Sequence, residues 1–73
     1  MKKDFWHYVL KLTIEDFKRS ATKEQFQEFV EKYPKFNFKP SYQELYIDMM
    51  AWLERLVQYM KKEQIGYFGK VQA

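Results

Sequence analysis

His7 is the only histidine in the chain, and there is no cysteine. A single imidazole beside Tyr8 and Lys11 reads as a surface or capping side chain rather than as a catalyst. The two serines, Ser20 and Ser41, fall at a segment junction and at a helix start. No nucleophile, base and orienting acid therefore assemble into a Ser/His/Asp set. A metal would need more than one imidazole and scattered carboxylates. Glu24, Glu28 and Glu31 share part of a helix face, but Lys32 and Lys35 neutralise them, and a solvated face is the plainer reading. The glycines are Gly66 and Gly69 alone, so no glycine-rich loop is present to cradle a phosphate. The expectation is a protein with no enzyme activity, no metal and no cofactor.

Binding chemistry is better represented. Seven Phe, six Tyr and two Trp stand in a chain of 73 residues. Buried aromatics often carry the energy of protein–protein contacts. Trp52, Tyr59, Tyr67 and Phe68 are the candidate anchors, since the helix that holds the first two has more apolar face than a thin layer of other helices covers. The ordinary reading of these residues is core, above all for Trp52. The same surface could be self-complementary and give a homodimer. A small regulator from a phage or other mobile element, docking on a host protein, fits the same features.

Nucleic acid is the alternative partner. Lys32, Lys35 and Lys39 flank Phe36 and Phe38, so cations for phosphates alternate with rings for bases. Lys18, Arg19 and Lys23 form a second basic cluster, and Lys2 and Lys3 a third. The net charge of +3 and pI near 9.1 permit such a partner without requiring one. Against it, Glu24, Glu28 and Glu31 interleave with the lysines. Arg19 and Arg55 are the only arginines, and arginine is the commonest reader of bases. No helix-turn-helix glycine turn is visible. The plainer reading of Phe36 and Phe38 is that they plug the core.

The elements that must position these residues are helices. Ser41 to Ile65 contains no Gly or Pro. Leu45, Met49, Trp52, Leu56 and Tyr59 recur at steps of four and three, with Tyr46, Met50, Leu53, Val57 and Met60 beside them. This predicts a long helix over 41–65 with a wide apolar face. Ser41 and Glu44 fit a capping box, Lys61 and Lys62 suit the far dipole end, and Gly66 can take the left-handed conformation that closes a helix. Asp48, Glu54, Arg55, Gln58, Lys61 and Lys62 form its solvated face.

Upstream, Asp4 is a plausible N-cap for a helix with Phe5, Trp6, Val9, Leu10 and Leu12 or Thr13 at helical spacing, and His7 and Lys11 on the other side. That helix could continue, because Trp6, Leu10, Thr13 and Phe17 share a face. The acids of Thr13-Ile14-Glu15-Asp16 favour a fresh start instead, so helices at about 4–12 and 14–20 are expected. Thr22-Lys23-Glu24-Gln25 is a second capping box. It opens a helix over 22–33 that buries Phe26, Phe29, Val30 and Tyr33, supports a Glu28–Lys32 pair, and stops at Pro34. Residues 34–40 read as an extended connector, and 66–73 as a short tail with frayed end.

The expected fold is therefore all-α: a single domain of three or four short helices packed on one long C-terminal helix. With no disulfide available, a chain this short must be held by packing or by oligomerisation. No run approaches the length of a membrane span, and charge at Lys2, Lys3 and Asp4 does not suit a signal peptide. A cytoplasmic, soluble protein is expected.

Phe5-Trp6-His7-Tyr8-Val9-Leu10-Lys11 resembles the Phe-x-His-Tyr-Leu-x-Lys-like opening of the YozE-type family of small bacterial proteins. Phe38, Ser41 and Tyr42-x-Glu44-Leu45 look like that family's Phe-Pro-x-x-Ser and Tyr-x-Glu-Ile elements, and Trp52-Leu53-Glu54 is similar to its Tyr-Leu-Glu. The resemblance covers about a third of the chain. Phe38 is not followed by Pro, Trp52-Leu53-Glu54 arrives late, and Lys61-Lys62 and the Gly66 tail replace an acidic-aromatic end. The resemblance implies a sterile-alpha-motif-like fold and carries no established activity or catalytic residue.

Overall fold

The computed structural model describes residues 2–36, 38 and 42–70, with side chains described at 5–36, 38 and 49–70. Four helices follow one another: α1 (Lys2–Ser20), α2 (Lys23–Lys32), α3 (Tyr42–Glu63) and α4 (Gly66–Lys70). No strand occurs among the described residues. The fold is a small all-α bundle, and none of these helices is long and apolar enough to cross a membrane. At about 1.5 Å per residue, the 22 residues of α3 run roughly 33 Å. That is the full length of a molecule whose longest extent is 31 Å.

The expected break near Thr13 is absent: α1 is one helix of 19 residues. Thr13 is buried, and its hydroxyl donates to the Val9 carbonyl at 2.7 Å. Its polar atom is thereby satisfied within the helix instead of capping a new one. The acids that follow serve elsewhere, as Asp16 shows below. The helix also begins at Lys2, ahead of the expected cap at Asp4.

The buried arc of α1 is His7, Leu10, Thr13, Ile14 and Phe17, at helical spacing. It is rotated from the expected face. His7 lies inside rather than on the surface, while Phe5 and Leu12 are exposed. This arc packs on α3 through Met49, Leu53, Leu56 and Met60. Leu10, Phe17, Phe29, Leu56 and Met60 are fully buried, each worth about 1.5–3 kcal/mol of transfer free energy. The outward residues of α3, Glu54, Arg55, Gln58 and Lys62, are exposed as their spacing predicts.

A hub of rings joins α2 and the following segment to this pair. Phe17 of α1 lies 5.8 Å from Phe26, 5.5 Å from Phe29, 5.7 Å from Phe38 and 6.0 Å from Tyr59, ring centre to ring centre. Phe29 adds Phe36 at 5.3 Å and Tyr59 at 5.2 Å. These separations are those of favourable aromatic pairs.

The start of α2 is the capping box expected at Thr22. Its hydroxyl oxygen accepts from the Gln25 N–H at 3.1 Å, and Gln25 Oε1 accepts from the Thr22 N–H at 2.9 Å. The helix ends before Pro34, and the Tyr33 N–H still reaches the Phe29 carbonyl. Glu28 does not pair with Lys32; it accepts from the Tyr59 hydroxyl at 2.6 Å. The expected capping box at Ser41 lies outside the described residues.

The close of α3 differs from expectation in register. Gln64, at φ 56, is the left-handed residue. Its N–H reaches Lys61 O at 3.3 Å, and the Ile65 N–H reaches Met60 O at 2.8 Å. This pair of bonds is a Schellman motif, with buried Ile65 folded over buried Met60. Gly66 also has positive φ, at 59°, but it opens α4 where a tail was expected. Residues 71–73 of that tail lie outside the described residues.

Candidate binding surfaces

The residues that could do proton or metal chemistry are not gathered. His7 is 6% exposed on the core side of α1. Among the described residues no three of His, Cys, Asp and Glu sit close enough to hold a metal. Glu28 is tied to Tyr59, and Asp16 to α4.

Asp16 organises one end of the bundle. Its Oδ2 accepts the Tyr67 N–H at 2.7 Å, while Oδ1 accepts from Arg19 at 2.8 Å and from the Ser20 hydroxyl at 3.2 Å. A carboxylate on α1 thus caps the first turn of α4. Burial alone would raise the Asp16 pKa. The donors from Tyr67, Ser20 and Arg19 outweigh it and hold the carboxyl below its ordinary 3.8. The close approach needs a glycine at 66, because a methyl there would overlap the Asp16 carboxylate. Gly69 is equally constrained, lying against the backbone of Gln64.

The four expected interface anchors fall in three different environments. Tyr59 is not available to a partner. It is 5% exposed, and its hydroxyl is spent on Glu28 and on the Gln25 carbonyl at 3.1 Å. Its ring meets Phe17 and Phe29 in the hub, so it belongs to the core. Burial, then the Glu28 hydrogen bond and charge, push its pKa well above the ordinary phenol value of 10.0. Trp52 is half-buried over Phe36, at 4.8 Å between ring centres. Phe68 is half-buried against the core, and Tyr67 stands 62% exposed.

Tyr67 has neighbours that spacing on the expected face of α1 did not reveal. A cleft of about 380 Å³ between α1 and α4 is lined by Val9, Leu12, Glu15, Arg19, Tyr67 and Phe68, among others. Along the same side of α1, Phe5 is 59%, Tyr8 60% and Leu12 45% exposed. Their spacing of three and four residues makes one stripe. It is a second apolar row on the helix, alongside the one that packs inward.

The basic-aromatic segment is also rearranged. Phe36 is buried and Phe38 half-buried, 4.6 Å apart and packed on Phe26 and Phe29. They fill the core between helices rather than offering stacking faces. Lys39 lies outside the described residues. Lys32 and Lys35 are exposed, but the rings beside them are Tyr33 and Trp52. A cleft of about 420 Å³ is formed by Lys32, Tyr33, Pro34, Lys35, Trp52 and Arg55. The second expected basic cluster is only partly kept: Lys18 and Lys23 line one cleft at the α1–α2 junction, Lys18 donating to the Phe38 carbonyl at 2.9 Å, while Arg19 pairs with Asp16. The side chains of Lys2 and Lys3 lie outside the described residues.

Comparison with protein-family models, with curated proteins and with solved structures finds no match to this chain.

Proposed function

We propose that this protein is a non-enzymatic binding module that makes protein–protein contacts through the face shared by α1 and α4. The observation that carries this reading is the exposure of Phe5, Tyr8, Leu12 and Tyr67 beside one apolar cleft. Large apolar side chains grouped on a surface cost solvation and are suited to desolvation by a partner. Aromatic members with few rotatable bonds make good anchors. A second copy of the chain is the first partner to test, because a two-fold pairing of the stripe buries it on both sides at once. A docking regulator acting on another protein would use the same face. Kinship with the sterile-alpha-motif-like YozE-type proteins stays a proposal that rests on the sequence resemblance alone, and the unbroken α1 departs from the short helices expected with it.

Sedimentation equilibrium over a wide concentration range tests the reading. The expected result is a mass that rises from the 9.1 kDa protomer with concentration, and a loss of association of roughly tenfold in Leu12→Glu. A monomer at every concentration would remove the dimer. The face would then have to cross-link a distinct protein from a photoreactive group at Tyr8, in a manner abolished by Leu12→Glu. Failure there as well would sink the proposal.

A further inference from the structure

We propose a second binding site: the cleft between the end of α2, the Pro34 turn and the middle of α3 takes single-stranded nucleic acid. It shares no lining residue with the α1–α4 cleft and stands independently of that reading.

Three cations, Lys32, Lys35 and Arg55, line this cleft with no carboxylate among its lining residues. The one ion pair among the described residues, Arg19–Asp16, is elsewhere. The charge of the cleft is therefore open to an anionic ligand. Arg55 is held by rings instead. Its guanidinium carbon lies 4.8 Å from the centre of Trp52 and 5.8 Å from that of Tyr33, and Lys32 Nζ lies 5.6 Å from Tyr33. A guanidinium lying over an indole keeps N–H donors for a phosphate.

The platform is rigid from behind. Trp52 rests on buried Phe36, Tyr33 on buried Phe29 at 4.9 Å, and the two outer rings meet edge to face at 6.1 Å. Pro34 fixes the turn that the Phe36 N–H closes onto the Tyr33 carbonyl at 3.0 Å. Lys35 is thereby placed beside the rings. The combination favours nucleic acid over an acidic peptide, because carboxylates would use the cations alone, whereas a nucleotide brings a phosphate for the cations and a base to pack beside the rings. It favours a single strand over a duplex, because a base reaches such a platform only when unstacked from its neighbours.

The test is fluorescence anisotropy of the full chain with labelled oligo-dT and oligo-rU of about 12 nucleotides. A duplex of the same length and an oligo-glutamate peptide serve as comparison ligands. Three neutralised phosphates predict a slope of about −2 in log affinity against log salt, or a fall of about 15- to 20-fold between 50 and 200 mM. Lys35→Gln with Arg55→Gln should weaken single-strand binding by tenfold or more and flatten that slope by about two-thirds, with helicity unchanged by circular dichroism. Tyr33→Leu keeps apolar volume and should lower affinity while leaving the slope intact. No binding at low salt overturns the proposal. So does unchanged binding in the double variant, or equal affinity for oligo-glutamate, which would make the cleft a general anion site.

Discussion

Asp16 does at the scale of one residue what a loop sequence cannot do for itself. Residues 64–66 offer no side chain to the first turn of α4, so the cap arrives from α1, 51 positions away in the chain. Its folded pKa lies below the ordinary 3.8. A carboxyl depressed on folding contributes stability that is present above its unfolded pKa and is lost as pH falls through the folded value. The bundle should therefore weaken below about pH 4. Asp16→Asn should lower stability by about 1–2 kcal/mol at about pH 7 and flatten the acid limb, as read from urea midpoints at the two ends of that range. Gly66→Ala should destabilise through the same contact, since its methyl meets the same carboxylate and its φ of 59° disfavours any side chain. The two variants share one interaction, so the double variant should cost less than the sum. Strict additivity would mean that the carboxylate and the glycine act separately.

At the scale of elements, what could be read from the chain was what depends on near neighbours. Thr22 and Gln25 announce the start of α2 by spacing alone, and both bonds of their capping box are formed. Pro34 announces its end. Thr22→Ala should cost about 1 kcal/mol, seen as a lower urea midpoint with the slope of the transition unchanged. A loss under a few tenths would show that α2 is held by its rings alone. What could not be read depends on distant groups. Thr13 resembles a helix start locally, and only its burial, with the hydroxyl turned back to Val9, keeps α1 whole. Spacing leaves the buried face of α1 open because the helix carries two apolar rows, and packing against α3 decides which one is buried. The same ambiguity hid Phe5, Tyr8 and Leu12 as a surface. Gln64, not Gly66, closes α3, because the Schellman bonds must bring Ile65 back over Met60. Phe36 and Phe38 alternate with lysines as a stacking loop would, yet the space between α1, α2 and α3 draws their rings inward.

At the scale of the whole molecule, α1, α2 and α3 each send a ring into one cluster, and Tyr59 is the member that also carries a polar tie. Its hydroxyl bonds Glu28 and the Gln25 carbonyl of α2, so α3 and α2 are joined by packing and by a proton together. That proton is held more tightly in the fold than in the open chain, because burial and the Glu28 carboxylate both oppose the phenolate. A group whose folded pKa is raised contributes stability that is fully present below its unfolded value and is lost as pH climbs above it. The thermal midpoint of the protein should therefore fall as pH rises past about 10. Lysine deprotonation contributes to any alkaline change, so the comparison that isolates the phenol is with Tyr59→Phe. That variant keeps the ring in the hub and removes the titrating group. It should lose about 1 kcal/mol at about pH 7 for the missing hydrogen bonds and then decline more shallowly than wild type above about pH 10. The two melting curves should converge as pH rises. Parallel curves across that range would mean that the folded state ionises Tyr59 as readily as the unfolded chain does, and that the rings alone bind α2 to α3.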